Sequence, residues 1–345
     1  MKNKVRILSI DGGGIRGIIP AVVLEYVEQK LKEKSGNPDA VLHDYFDMIA
    51  GTSTGGILTC FYLHPARFPA EQAIDLYVNK GSEIFKRKWK SKANNWIKNW
   101  VCSAKYTKTG LEKALNDTFG ESKLSDVPAG KHSLVTAYDI VKCKSEFFTV
   151  PAAKRERSRD FYLRDIARAT SAAPTYFDPV SIRSVGYDPK KPGTEETHYL
   201  IDGAMFANDP SLCAIVEARK TWFEKCGGFP AIKDVYLVSI GTGKEMTPLM
   251  LTKSVNWGKF QWIKPVIDIL MWGSPEVVNC QLTQFFELAG CSDCYVRLNP
   301  GLHNASPKMD AISRKNIENL NEAGEYYVEK NKEVLDKIAD ELIDN

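Results

Sequence analysis

The stretch Val5-Arg-Ile-Leu-Ser-Ile-Asp-Gly-Gly-Gly-Ile-Arg-Gly17 decides the fold. Residues 5–10 are a short apolar run of strand length, and the glycine cluster after Asp11 stops it. A helical pattern follows, with Pro20 in its first turn and Val23, Val27 and Leu31 on one face. Ser35-Gly36-Asn37-Pro38 ends it. This strand, turn and helix unit recurs. Residues 46–50 lead into Gly51-Thr-Ser-Thr-Gly-Gly56 and the apolar stretch 57–63, residues 198–201 lead into Asp202-Gly203-Ala204, and residues 235–240 lead into Gly241-Thr-Gly243. Short apolar strands alternating with helical segments predict an α/β fold whose mainly parallel sheet is covered on both faces. Ligands of such sheets bind at the carboxyl ends of strands, so all four turns are expected at that edge.

The composition excludes several classes. With 345 residues, 43% of them hydrophobic and 26% charged, the chain is neither disordered nor a small disulfide scaffold. A chain of this length buries about 75% of its unfolded surface, so no metal or disulfide is needed to make a core. Forty-six Lys and Arg against 43 Asp and Glu leave a net charge of +3, too small to point to a nucleic-acid polymer as partner. The apolar run near the start is too short for a signal-peptide core, and no run of about 18 apolar residues would span a membrane. We therefore expect a cytoplasmic protein, which would meet any lipid from outside. The eight Cys lack the spacing of a secreted framework and read as mostly buried small hydrophobes.

Gly51-Thr-Ser53-Thr-Gly55 fits the G-x-S-x-G elbow, in which glycines relieve crowding around a nucleophilic serine on a sharp strand-to-helix turn. The loop Gly12, Gly13, Gly14 to Gly17 admits two readings. It matches the dinucleotide fingerprint G-x-G-x-x-G, although the acidic residue at the required spacing, Asp39, falls in a loop before the next strand. It also suits an oxyanion loop, whose free amides hold the negative charge that develops during acyl transfer. None of the five histidines follows a strand in the way a triad histidine is delivered. Asp202 is better placed, at a strand end, and desolvation would make it a workable base for Ser53. One C-x-x-C at Cys291 and Cys294, with Cys280 and His303, is too sparse for a zinc site. Gly241-Thr-Gly-Lys244 lacks the rest of a P-loop.

Six of the seven Trp lie in two segments. The first, residues 86–100, interleaves Lys and Arg with Trp89, Trp96 and Trp100; the second runs from Trp257 to Trp272. Each reads either as an ordinary helix or as an interfacial surface. Residues 317–343 have the pattern of an amphipathic packing helix. We expect residues 5–213 to form a catalytic core and residues 214–345 to complete the same domain with a further strand and packing helices.

In order along the chain, the Asp-Gly-Gly-Gly-x-Arg-Gly loop at 11–17, the Gly-Thr-Ser-Thr-Gly elbow at 51–55 and the Asp-Gly-Ala turn at 202–204 resemble the patatin-like phospholipases. Thr170-Ser-Ala-Ala-Pro-Thr-Tyr-Phe177 and Ser239-Ile-Gly-Thr-Gly243 are similar to that family's sequences too. The resemblance implies a three-layer α/β/α fold and lipid acyl hydrolysis by a Ser-Asp dyad without metal or cofactor. On that resemblance Ser53 is the nucleophile and Asp202 the base. Gly12, Gly13 and Gly14 form the oxyanion loop, Arg16 belongs to it with no defined duty, and Gly51 and Gly55 frame the elbow. A compact chain of this kind is similar to bacterial phospholipase effectors of anti-phage defence. That implies membrane phospholipids as substrate at the inner face of the cell membrane, a cyclic nucleotide activator and a homo-oligomer on activation. The alternatives are an esterase or thioesterase acting on soluble acyl groups, and a non-enzymatic nucleotide-binding module built on Gly12 to Gly17.

Overall fold

The computed structural model describes residues 4–84, 105–187, 190, 197–221, 223, 226–243 and 257–343. Eight strands form one sheet: β1 (Val5–Ile10), β2 (Met48–Thr52), β3 (His132–Asp139), β4 (Lys144–Phe148), β5 (Val180–Arg183), β6 (Thr197–Asp202), β7 (Val235–Ile240) and β8 (Tyr295–Leu298). The order is β5-β6-β3-β2-β1-β7-β8, with β4 pairing to β3. The contiguous block β3, β2, β1, β7 and β8 is parallel. Every residue of β1, β2 and β7 is buried, which accounts for their unbroken apolar reading: helices cover both faces.

The helices are α1 (Ile18–Ser35), α2 (Thr54–Tyr62), α3 (Glu71–Ile84), α4 (Lys108–Phe119), α5 (Leu163–Thr170), α6 (Ser211–Ala218), α7 (Lys259–Leu288), α8 (Arg314–Lys330) and α9 (Lys332–Ile343), with several shorter turns between them. Gly36 ends α1 in the left-handed conformation. α1, α2, α3, α4 and α5 pack together, with α8 and α9 against α1, while α6 and α7 pack together elsewhere on the sheet. The layers are thus α/β/α. From β1 the chain steps one way to β2, whereas β7 lies on the other side and leads to β8. The glycine loop after β1 therefore sits at the point where strand order reverses, the usual crevice of such sheets.

One strand departs from expectation. β6 is antiparallel both to β3 and to its other neighbour, β5. Residues 137–139 of β3 pair with β4 on one edge and β6 on the other, and residues 135–136 pair with β4 and β2. It follows that β2 and β6 share an edge of β3 and run head to head. Their last residues, Thr52 and Asp202, stand opposite the consecutive residues Thr136 and Ala137.

Three smaller expectations change as well. The C-terminal amphipathic stretch is two helices, α8 and α9, separated at Asn331. Among the described cysteines, Cys60 and Cys294 are buried but Cys143 and Cys280 are exposed, one in the β3–β4 turn and the other on α7. The described thiols are thus not mostly buried. The basic Trp segment, residues 86–100, lies outside the described residues. Among those described, no helix is long and apolar enough to cross a membrane.

Candidate active site

Ser53 stands between the end of β2 and the start of α2 with φ of 55° and ψ of −121°, a strained conformation for a side-chain-bearing residue. The neighbouring glycines make this turn possible. A Cβ on Gly55 would lie 2.1 Å from the Ile10 carbonyl oxygen, and one on Gly51 would lie 2.0 Å from that of Gly55. The Ser53 amide donates to Thr170 Oγ1 at 2.8 Å, and its carbonyl accepts from Ile57 at 3.0 Å, the first turn of α2. The hydroxyl is thereby held at the positive end of a helix dipole.

Asp202 arrives from the opposite direction. Its amide donates to the Ala172 carbonyl at 3.1 Å, so the one segment Thr170–Ala172 braces both serine and aspartate. Its Oδ1 accepts the Ala204 amide at 2.8 Å, while Oδ2 is buried without a partner in hydrogen-bonding geometry. Burial pushes the carboxyl up to about 7, a rise only partly offset by the Ala204 amide and the nearby Ser53 hydroxyl. A carboxylate so destabilised can take a proton near neutral pH.

Opposite them lies the glycine loop. The Gly12 amide donates to the Asn208 carbonyl at 3.0 Å and Gly12 oxygen accepts from Thr242 Oγ1 at 2.8 Å, so Gly12 anchors the loop and has no free amide to offer an oxyanion. The amides of Gly13 and Gly14 make no hydrogen bond among the described residues. Gly14 has φ of +60°, and its Cα lies against the Met309 carbonyl, where a Cβ would come within 2.4 Å. Arg16 points away from this work. It is buried, its Nε donates to the Gly13 carbonyl at 3.2 Å and its Nη1 to the Gly243 carbonyl at 3.3 Å, with its guanidinium 4.4 Å from the Trp272 ring centre. It braces the loop. Because the Gly12, Ile15 and Arg16 amides are all engaged within the protein, the loop does not form the open phosphate cradle of a dinucleotide site.

Under the loop sits a buried charge cluster. Asp11 forms a bidentate pair with Arg297, which also lies 3.1 Å from Asp209. Burial raises the Asp11 carboxyl to about 7, with Arg297 pulling it down and Asp209 pushing it up.

Ser53 and Asp202 open into a narrow apolar cavity of about 60 Å³, lined by Ile57, Tyr77, Leu111, Phe177, Met271 and Met309 among others. Drug-sized ligand pockets run to about 300–1,000 Å³, so an acyl chain needs the cavity to widen. No group of three or more His, Cys, Asp or Glu among the described residues is arranged to hold a metal. Sequence reasoning missed Asn208, Met271 and Met309, which carry no motif. It noticed the segments of Thr170 and Thr242 without finding their roles, which become visible only as contacts across the fold.

Residues 8–215 match the family described as patatin-like phospholipase. Patatin-like protein 2 of Oryza sativa subsp. indica is 31% identical over 99% of this chain and 87% of its own length. Patatin-like protein 1 of Arabidopsis thaliana is 31% identical over 93% of this chain and 80% of its own. Patatin-17 of Solanum cardiophyllum is 31% identical over 94% and 84% respectively. The crystal structure of VipD from Legionella pneumophila aligns over 95% of this chain and 67% of that one at 12% identity with a TM-score of 0.36, too loosely to carry any argument. With the family match covering more than half of the sequence and relatives at 31% identity spanning nearly all of it, the chain belongs to the patatin-like phospholipase family of lipid acyl hydrolases.

Proposed function

We propose that the chain cleaves fatty-acyl esters of membrane phospholipids through a Ser53–Asp202 dyad. The observation that carries this reading is the head-to-head meeting of β2 and β6, which sets a strained serine beside a buried aspartate whose carboxyl is raised to about 7. Ser53 Oγ attacks the ester carbonyl carbon as Asp202 takes its proton, and the Gly13 and Gly14 amides hold the resulting oxyanion. Collapse breaks the ester bond. Asp202 returns the proton to the leaving alkoxide, which departs as lysophospholipid. Water then gives its proton to Asp202 and attacks the acyl-serine, and the fatty acid leaves as Ser53 regains its hydrogen.

A lipid surface is the proposed partner. α7 is apolar on two sides: Met271 lines the Ser53 cavity, while Trp262, Val266, Ile269, Leu270 and Val277 recur at helical spacing on an exposed face. Docking of that face would bring the enzyme to the inner membrane surface from the cytoplasm. The small volume of the cavity, about 60 Å³, supports a widening step before turnover. That the widening is driven by a cyclic nucleotide, with self-association and a role in anti-phage defence, belongs to the same proposal and rests on the motif resemblance.

The test is lipid mass spectrometry after incubating mixed phospholipid vesicles with wild type and Ser53→Ala, with and without micromolar cyclic di- and trinucleotides. We expect free fatty acid and lysophospholipid from wild type and none from Ser53→Ala. Turnover of soluble esters with no release from vesicles under any condition would replace the phospholipase reading with that of a soluble esterase.

A further inference from the structure

We propose that Arg297 is a positioning residue that locks the oxyanion loop to the chain segment carrying the base. The inference rests on the Ser53 and glycine-loop reading above and adds to it a residue from β8, outside the family-matched stretch 8–215.

The geometry is that of a seam with two rungs. The first is made of charges. Arg297 Nη1 donates to Asp11 Oδ1 at 2.9 Å and to Ser239 Oγ at 2.6 Å, Nη2 donates to Asp11 Oδ2, and Asp209 Oδ2 lies 3.1 Å from Nη1. Asp209 is fixed in turn, its Oδ1 accepting the Ser211 amide at 2.8 Å. The second rung is one residue further along each strand of the seam: the Gly12 amide donates to the Asn208 carbonyl at 3.0 Å, and Asn208 Nδ2 reaches back to Gly12 oxygen at 3.5 Å. Asp11 and Gly12 lead directly into Gly13 and Gly14, while Asn208 and Asp209 close the short turn that begins at Asp202. Arg297 thus joins the segment that would bind the oxyanion to the segment that would hold the proton.

Residue chemistry argues for this duty. Two carboxylates and one guanidinium, with side chains 12% exposed or less, form an expensive core, and apolar residues of similar volume commonly hold such a site as well or better. What apolar residues lack is direction. The planar guanidinium grips Asp11 with two parallel bonds and donates to Ser239 as well, with Asp209 held beside it as an ion pair, an arrangement that a lysine ammonium cannot reproduce. A Cβ on Gly241 would stand 3.3 Å from Nη2, so the backbone also leaves room for the fork.

The experiment compares wild type, Arg297→Lys and Ser53→Ala on a water-soluble p-nitrophenyl ester. It also measures inhibition by an alkyl boronic acid, whose tetrahedral serine adduct places a negative oxygen in the oxyanion position. Active protein is counted by fluorophosphonate labelling. For Arg297→Lys we expect kcat per labelled site to fall about tenfold or more with little change in KM, and boronate affinity to fall in parallel. Normal kcat per labelled site, or a loss confined to KM, would overturn the proposal. If Arg297→Lys does not fold, Asp209→Asn, which keeps the Arg297–Asp11 pair, carries the same test: a joint fall in kcat and boronate affinity supports it and an unchanged kcat overturns it. Ser53→Ala separates the two levels. Full activity there removes the underlying reading, whereas a dead Ser53→Ala beside an unimpaired Arg297→Lys removes only the role of Arg297.

Discussion

Ser53 and Asp202 are brought together by uncharged bonds from backbone and hydroxyl groups, whereas the glycine loop facing them rests on a buried set of charges. On the first side, strand pairing and the Thr170–Ala172 segment hold Ser53 and Asp202 through backbone and hydroxyl bonds, and the buried charged groups of those strands, Asp139 and Glu146, do not touch either residue directly. On the second, Arg297 pays for two carboxylates. The contrast suggests that position on the serine side follows from topology, while position on the loop side depends on side-chain chemistry.

The largest expected break in this comparison is therefore Asp202→Asn. Asn can still accept the Ala204 amide but cannot take a proton, so hydrolysis of a soluble ester should fall by about 10²–10⁴-fold, the usual worth of a general base. In wild type the base must be ionised, so kcat/KM should climb with pH and reach half its plateau near 7. Stability should move the other way. Because burial raises the folded carboxyl from 3.8 to about 7, the native state binds more protons than the unfolded state between those values, and wild-type stability falls as pH rises through them. Asp202→Asn should then melt above wild type at pH 8 and close to it at pH 4. A variant that is both inactive and less stable at pH 8 would mean that the carboxylate holds the fold together rather than straining it.

A smaller break targets the neutral brace. Thr170→Val keeps the shape but leaves the Ser53 amide without its acceptor, an orphaned buried donor worth about 1–3 kcal/mol. Activity on the soluble ester should drop roughly tenfold if about 1.4 kcal/mol of that penalty is felt in the transition state. Thr170→Ser, which restores the oxygen, should recover most of it. Equal impairment by both variants would show that the Thr170 methyl, packed against Gly56, matters more than its hydroxyl.

How much of this was legible in sequence differs between the two sides. The elbow was readable because its strain demands glycines at fixed offsets around Ser53, and β1, β2 and β7 were readable because burial on both faces makes them continuously apolar. Asp202 was found at a strand end, but its antiparallel arrival was not. Direction depends on β5 and β6 forming a returning pair across residues 184–196, and no local pattern there distinguishes a return from a crossover. The Arg297 cluster was invisible for a related reason. Its members lie at positions 11, 209, 239 and 297, each alone an ordinary polar residue near a strand, and only the adjacency of β1, β7 and β8 assembles them. Gly12 was counted in the oxyanion loop on the motif resemblance, and a motif names a residue without showing where its amide points.

The smallest expected effect concerns α7, where the comparison shifts from the two sides of the site to the two sides of one helix. Met271 and Trp272 face inward, to the cavity and to Arg16, while Ile269 on the other face is 51% exposed. If the outer face meets lipid, burying the exposed half of one isoleucine contributes about 1 kcal/mol, half the usual worth of a fully buried side chain of that size. Ile269→Ser should therefore weaken vesicle binding by roughly fivefold, and vesicle hydrolysis at limiting lipid should fall with it. The soluble ester does not use that face, so its kcat and KM should remain those of wild type. Co-sedimentation and the two assays together decide the matter. Loss on vesicles alone marks a lipid-docking face, while equal loss on both substrates means that Ile269 acts through Met271 on the cavity, and the exposed stripe is then part of the cover over Ser53 rather than the surface that meets the membrane.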